Sequence, residues 1–560
     1  MAAEAINQER AVMQRYGARR YQAEAVVSVG AGFAEDPEIK AQLVCAATGT
    51  GKTIIFSVLA KIEEAKGGRT LILAHTDELI DQAIDKLFRS TGLKAAKEKA
   101  QHYAGRWAKI VVGSVQTLHR TLRLTSWPKN HFTLIIVDEA HRSLAESYQT
   151  ILQHFMAGGA KVVGVTATPD RGDKRALGEF YQRIAYDYGL RQACRDGWLV
   201  RPIVKTMPLS IDLNGVKTKK TADGNDLDRM EVGRRLVPFL GAIAENIKKE
   251  AGAKKVLIFM PSVETAQMMA DALRAAGVSA DWVCGDKKLC PDRTERVERH
   301  KAGRFQALVN MAILTEGYDD DSIEIIVCLR ATKIRSLYAQ IIGRGTRPMG
   351  NIVKQLNQAS NALERQAIIA ASDKPVVTIL DFLWLYEKHD LCRPASLVAK
   401  DAAVEEQMEE SSPAAGDVID LLEAEERAER DLLQKLEEDL KKNQNKRSEV
   451  VDPLAVAADL ADIELANYEA MTKRDARPAT TEQLRKLLAN GVDASKIKNY
   501  GHARATLDKI VRRHEAGLCN IRQLNFFTKL GVDASQMSQD EAFARMAEWE
   551  SKQRTREVSA

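Results

Sequence analysis

The octapeptide Ala46-Ala47-Thr48-Gly49-Thr50-Gly51-Lys52-Thr53 follows the apolar run Gln42-Leu43-Val44-Cys45 and precedes an apolar helical pattern. Its residue types suit one kind of ligand, the phosphate chain of a nucleoside triphosphate. Glycines at 49 and 51, on either side of Thr50, let backbone N–H groups approach an anion, and the following helix adds the positive end of its dipole. Lys52 brings a full charge to the β and γ phosphates, and Thr53 supplies the hydroxyl that phosphate-bound Mg²⁺ requires. Downstream, Leu134-Ile135-Ile136-Val137 reads as a buried strand ending in Asp138-Glu139. Asp138 suits Mg²⁺ binding, and Glu139 suits orienting and deprotonating an attacking water. A Gly-rich turn or an acidic strand cap alone would mean little. The two in this order imply nucleoside-triphosphate hydrolysis with Mg²⁺.

Groups so far apart in the chain need parallel sheets to converge. Short β-branched runs alternate with helical patterns, giving strands at 42–45, 70–74, 110–112, 134–137 and 162–165. A second series places strands at 256–259, 307–309, 323–328 and 376–380. Such runs, flanked by helices, are the signature of parallel sheets covered on both faces. Asp212 to Asp228, polar and Lys-rich, reads as a mobile insertion between the two α/β domains. Glu405 to Ser412 reads as a solvated linker, and Val418 to Lys442 as a long exposed helix or short coiled coil. Gln483-Leu484 and Gly491-Val492-Asp493-Ala494-Ser495 recur 40 residues later as Gln523-Leu524 and Gly531-Val532-Asp533-Ala534-Ser535. Each copy reads as helix, Gly turn, helix. The expected domains are 1–205, 206–395, a charged helical linker at 396–475 and a repeat module at 476–560.

With 560 residues and a formal charge of +5, the chain permits nucleic-acid binding without arguing for it. Seven cysteines are scattered without zinc-ligand spacing, no secretory signal opens the chain, and no apolar run is long enough for a bilayer span. A reduced cytoplasm, bacterial or phage-infected, and no membrane partner are expected.

The phosphate loop, Asp138-Glu139-Ala140-His141 and Gln340-Ile341-Ile342-Gly343-Arg344-Gly345-Thr346-Arg347 together resemble superfamily 2 helicases and translocases of the DEAD/DEAH type. The resemblance covers residues 15 to about 395 and implies an α/β fold: two tandem RecA-like parallel-sheet domains, then a charged helical linker and a small all-α C-terminal module. It implies that Gln22, in Arg19-Arg20-Tyr21-Gln22, reads adenine, and that Gly317, Asp319 and Gln340 join the ATP site. Arg344 and Arg347 would act as fingers delivered from the second domain on closure. His75, Thr76, Gln116, Thr117, Thr166, Thr168 and Thr315 would contact or couple to a nucleic-acid strand.

The spellings His75-Thr76-Asp77-Glu78-Leu79 and Thr315-Glu316-Gly317-Tyr318-Asp319 look more like DNA repair, recombination and restriction translocases than DEAD-box RNA helicases. Tyr186 to Val200 resembles the bridging segment of restriction-type enzymes, and the motifs with the helical tail are similar to phage helicases. An ATP-dependent DNA helicase or translocase in replication, recombination or repair is therefore expected, with DNA favoured over RNA. An RNA helicase of the same fold, or an ATP-gated clamp that separates no strands, are the alternatives. Basic residues from Lys473 to Arg513, among them Arg485, Lys498, Arg504 and Arg513, could lie along phosphates. For the C-terminal module, nucleic-acid binding and docking to a replication or recombination protein weigh equally.

Overall fold

The computed structural model describes residues 2–75, 77–167, 177–221, 224–311, 314, 318, 320–385, 391–399, 402–410, 418–443, 465, 468, 470, 472, 475–530, 532, 534 and 537–558. The chain divides into two units, Met1–Val398 with Ser412–Ala424, and Ala399–Ser411 with Glu425–Ala560.

In the first unit, strands β1 (Ala41–Ala46), β2 (Thr70–Ala74), β3 (Ala96–Glu98), β4 (Ile110–Ser114), β5 (Leu134–Asp138), β6 (Lys161–Thr166) and β7 (Arg183–Tyr188) form a parallel sheet in the order β3-β4-β2-β5-β6-β1-β7. The central strands are apolar throughout because helices bury both faces. One core holds Val44, Ile55, Phe56, Ile72 and Ile136; the other holds Leu43, Leu71, Ile135, Phe132 and Phe155. Ile135 and Ile136 thus face opposite layers, as alternate strand residues must.

The second sheet runs β12-β13-β11-β14-β15-β8-β16. Its strands are β8 (Arg201–Asp212), β11 (Val256–Phe259), β12 (Ala280–Cys284), β13 (Ala307–Met311), β14 (Ile325–Cys328), β15 (Val376–Leu385) and β16 (Val418–Asp420). All pairs are parallel except β16 with β8. The expected boundary between residues 205 and 206 falls inside β8, and β16, drawn from the expected linker, closes one edge.

The expected mobile insertion is instead a hairpin of β9 (Thr218–Thr221) and β10 (Gly224–Leu227), with Leu213, Val216 and Leu227 buried in the second core. Asp226 latches it. Its buried carboxylate accepts from Thr332 Oγ1 at 3.0 Å and from the Lys333 N–H at 3.0 Å, with Arg330 at 3.9 Å. Paired in this way, a buried charge fixes the hairpin to the loop before the helix Arg335–Gly343.

The second unit is helical. The expected linker around Glu405 contains the helix Ala402–Glu410, and the helix Leu421–Asn443, of 23 residues, has its first four residues in the first unit and the rest in the second. Leu421, Leu422 and Ala428 are buried, so its first turns are not a solvated face. The repeat is built by the same cap twice: Thr480 and Gln483 exchange side-chain and backbone hydrogen bonds of 2.9 and 3.2 Å, and Asn520 and Gln523 do so at 2.9 and 3.0 Å. Each copy centres its own small core, on Leu487 and Val492 in the first and on Leu524 and Phe527 in the second. Gly491 ends its helix with φ +82°, while Gly531, Asp533 and Ser535 lie outside the described residues. Arg513, expected on a phosphate-binding face, is buried; it donates to the carbonyls of Cys519 at 2.6 Å and Ala534 at 2.9 Å and ties the copies together. Among the described residues, no helix is long and apolar enough to cross a membrane.

Removing the Asp226 carboxylate leaves a buried hydroxyl and N–H without their acceptor. Asp226→Ala should cost about 2 kcal/mol, read as a lower midpoint of the first urea transition followed by tryptophan fluorescence. An unchanged midpoint would show that the latch is dispensable.

Candidate active site

Between the two sheet domains lies a cavity of about 400 Å³, lined by the phosphate loop, the ends of β5 and the helix Asp77–Thr91, and by Tyr318, Arg344 and Arg347. β1 delivers the loop from a fully buried strand. Gly49 and Gly51 adopt φ of +91° and +80°, which L side chains rarely take, so the turn needs glycine at both places. A Cβ on Gly49 would also sit 3.1 Å from Arg347 Cγ. The helix Lys52–Ala65 starts at the cavity, with Lys52 and Thr53 on its wall.

Thr50 and Gln22 are placed against each other rather than on the wall. The Thr50 hydroxyl donates to the Ala47 carbonyl at 2.7 Å, and the Thr50 carbonyl accepts from Gln22 Nε2 at 3.0 Å and from the Tyr21 hydroxyl at 2.6 Å. Tyr21 stacks on Tyr188 with centroids 4.3 Å apart. Gln22 therefore braces the loop from behind.

Asp138 and Glu139 face the cavity from the end of β5. Glu139 is a non-glycine residue at φ +53°, a strained conformation of the kind that clusters at functional sites. Its carboxylate lies 3.8 Å from Lys52 Nζ through Oε1 and 3.5 Å from His141 Nδ1 through Oε2. Burial and the neighbouring Glu139 charge push the Asp138 carboxyl up to about 6, against the pull of Lys52. Burial alone would raise Glu139 as well, but Lys52, His141, Arg142 and Arg344 outweigh it and hold that carboxyl below its ordinary range. The surroundings thus push the two carboxyls in opposite directions, Asp138 up and Glu139 down. His141 Nδ1 also lies 3.4 Å from Thr166 Oγ1, at the end of β6.

The second domain reaches the site through the helix Arg335–Gly343. A Cβ on Gly343 would sit 2.5 Å from Thr48 Cβ, so glycine is required for this helix end to meet the phosphate loop. Arg344 is buried and donates to the Tyr318 carbonyl at 2.6 Å. Burial lowers Arg347 to about 10. Gln340 is buried on the same helix and does not line the cavity. Gly317 and Asp319 lie outside the described residues.

One charged residue of the cavity wall, Lys86, lies outside the sequence motifs. Leu79, Gln82, Ala83 and Lys86 form one face of the helix Asp77–Thr91 and all line the wall. Burial lowers the pKa of Lys86, as do Arg347 and Arg344, while Asp138 opposes. The 79, 82, 83, 86 spacing is the signal that could have found it. Four cations, Lys52, Lys86, Arg344 and Arg347, thus surround two carboxylates. Among the described residues no group of three or more His, Cys, Asp or Glu could hold a metal alone. Thr53 and Asp138 instead fit a hard cation that completes its oxygen shell with phosphate and water.

Of the strand-contact candidates, His75, Gln116 and Thr117 are brought together. Gln116 Nε2 donates to the His75 carbonyl at 2.8 Å and lies 3.3 Å from its Nδ1, and the Thr117 hydroxyl accepts from the Ala100 N–H at 3.0 Å. Thr166 is buried. Thr76, Thr168 and Thr315 lie outside the described residues.

Lys86→Ala should weaken binding of a non-hydrolysable ATP analogue by about 1.5–3 kcal/mol, the worth of a hydrogen bond to a charged group, measured by calorimetric titration. Wild-type affinity would remove Lys86 from the site.

The family model described as the res subunit of type III restriction enzymes matches residues 15–171, and the helicase conserved C-terminal domain matches residues 239–349. A Saccharomyces cerevisiae protein bearing the name "Putative ATP-dependent helicase IRC3" is 35% identical over 322 residues, which is 54% of this chain and 46% of that protein. The type I restriction enzyme EcoAI endonuclease subunit of Escherichia coli is 24% identical over 344 residues, 54% of this chain and 41% of that one. The solved Pyrococcus furiosus Hef helicase domain superposes with a TM-score of 0.40 at 16% identity, covering 66% of this chain and 96% of that domain. The chain spans about half the length of the curated relatives it matches. A restriction-type model on the first sheet domain and a helicase C-terminal model on the second are the pairing by which the chain is similar to superfamily 2 helicases.

Proposed function

We propose that the chain is an ATP-dependent DNA translocase or helicase that couples ATP hydrolysis in the cleft between its sheet domains to movement on a DNA strand. The observation that carries this reading is the cavity built from both domains, with four cations around two carboxylates. Four positive groups held so close repel one another, and a triphosphate with its several negative charges relieves that repulsion. Lys52 and Lys86 would bind phosphates from the first domain, and Arg344 and Arg347 from the second. Mg²⁺, held by Thr53 and Asp138, would offset charge on the phosphate oxygens. Glu139, ionised and strained into the cavity, would orient the attacking water and take its proton.

Hydrolysis would then be linked to domain closure, with the close approach of Gly343 to Thr48 setting Arg344 and Arg347 beside the phosphate loop. His75, Gln116 and Thr117 would grip the strand on the first domain, and His141 with Thr166 would connect the hydrolytic carboxylate to the neighbouring strand end. A two-state grip driven by ATP turnover gives stepping. The relative named as a restriction-enzyme subunit supports DNA as the strand. Replication, recombination or repair, in a bacterial or phage-infected cytoplasm, is the setting we propose.

The test compares ATPase stimulation by single-stranded, duplex and forked DNA and by RNA, with unwinding measured on the same substrates. DNA should stimulate more strongly than RNA. Stimulation by RNA alone would favour an RNA helicase, and strand binding without movement would favour a clamp. Glu139→Gln should bind ATP with wild-type affinity yet turn it over at least about 10²-fold more slowly; normal turnover would remove Glu139 from its role.

A further inference from the structure

From Lys99 to Arg123 the chain carries Lys99, Arg106, Lys109, Arg120 and Arg123 and not one Asp or Glu. That local excess of five positive charges equals the formal net charge of the whole protein. The same segment displays large apolar side chains to solvent: Tyr103 is 74% exposed, Trp107 82% and Leu122 88%. Single exposed apolar residues are ordinary, whereas a cluster on a fixed frame marks a recognition surface.

The frame is fixed. Lys99 and His102 pair across a tight turn in which Ala100 takes φ +46°. The buried Glu98 carboxylate holds the Arg123 guanidinium and accepts from the Ala104 N–H at 2.7 Å. Arg123 also donates to the carbonyls of Ala100 at 3.2 Å and His102 at 2.6 Å, and Arg106 to that of Ser126 at 2.6 Å. Arg123 lies 3.4 Å over the Tyr103 ring, and the Trp107 indole lies so close across Gly105 that a side chain there would collide with it. Both rings are backed by protein and remain largely open to solvent. The frame joins the strand-contact residues directly, through the hydrogen bond from the Ala100 N–H to Thr117 Oγ1.

We propose that Tyr103 and Trp107 form a base-stacking platform for single-stranded DNA, with Arg106 and Arg120 beside it for the phosphates. The inference rests on the nucleic-acid reading above and deepens it: His75, Gln116 and Thr117 hold the strand, and the platform takes unpaired bases next to them. Flat rings suit bases because every base offers a π-face, so the contact is strong and independent of sequence. A segment lacking acidic residues, attached to the strand-contact candidates, fits a polyanion better than a protein partner.

The test is equilibrium binding of the full chain to a single-stranded oligonucleotide and to a strand of equal length with abasic sites. The two offer the same phosphates and differ only in bases. Wild type should prefer the base-bearing strand. The Tyr103→Ala/Trp107→Ala double variant should lose about tenfold or more on that strand, bind the abasic strand as before and keep its basal ATPase, while Tyr103→Phe/Trp107→Phe should restore the preference. Wild-type binding by the double variant would overturn the platform and leave the patch to a protein partner. Equal loss on both strands would overturn it too, since the contact would not be with bases. If wild type bound neither strand and neither stimulated its ATPase, the nucleic-acid reading itself would fail.

Discussion

Charge at the interdomain cavity is the constraint on which the rest of the structure depends. Two sheets converge there, and each brings cations to the same space: Lys52 and Lys86 from one, Arg344 and Arg347 from the other. Among the described residues lining the cavity, Asp138 and Glu139 supply the opposing charge, and a polyanion would add to it. The backbone around it is correspondingly specialised. Positive φ at Gly49 and Gly51, a strained Glu139 and a glycine at 343 are all needed to bring these groups within reach of one ligand.

The connection between the sheets holds that geometry in place. Tyr21 and Tyr188 stack behind the phosphate loop, Tyr188 donates to Asp196 at 2.6 Å, and Arg19 and Arg365 lie 4.1 and 4.4 Å over the Trp198 ring. Arg365 also donates to the Asp196 carbonyl at 2.6 Å, and the Val200 N–H to the Thr346 carbonyl at 2.7 Å. The segment resembling a bridging element thus grips the second domain beside the loop that carries Arg347. These aromatic and guanidinium contacts join the phosphate-loop side of the first sheet to the second.

Much of this was legible from the chain. The buried central strands are near-continuous apolar runs, and the phosphate loop, Asp138-Glu139 and Arg344 to Arg347 carry spacing that few other structures require. What escaped has identifiable reasons. Edge strands β3 and β12 are half-buried and carry Lys97, Glu98 and Asp281, so their apolar signal is weak. β8 contains Pro202 and polar residues, yet β15 and β16 pair with it on either side. Asp226 made its hairpin look solvated, because a buried carboxylate cannot be told from an exposed one until Thr332, distant in sequence, supplies the partner. Lys86 was invisible for a related reason: which face of a helix meets a cavity is decided by tertiary packing. Gln22, read from resemblance as an adenine contact, also bonds through Nε2 to the Thr50 carbonyl, a contact that its place in the sequence does not disclose.

The most direct measurement of the central claim, a site completed across two domains, is single-turnover ATP hydrolysis on single-stranded DNA by Arg344→Ala beside its nucleotide affinity. A finger that acts on charge developing at the γ-phosphate predicts a rate loss of about 10³-fold or more with little change in affinity. A wild-type rate, or a loss confined to binding, would contradict it.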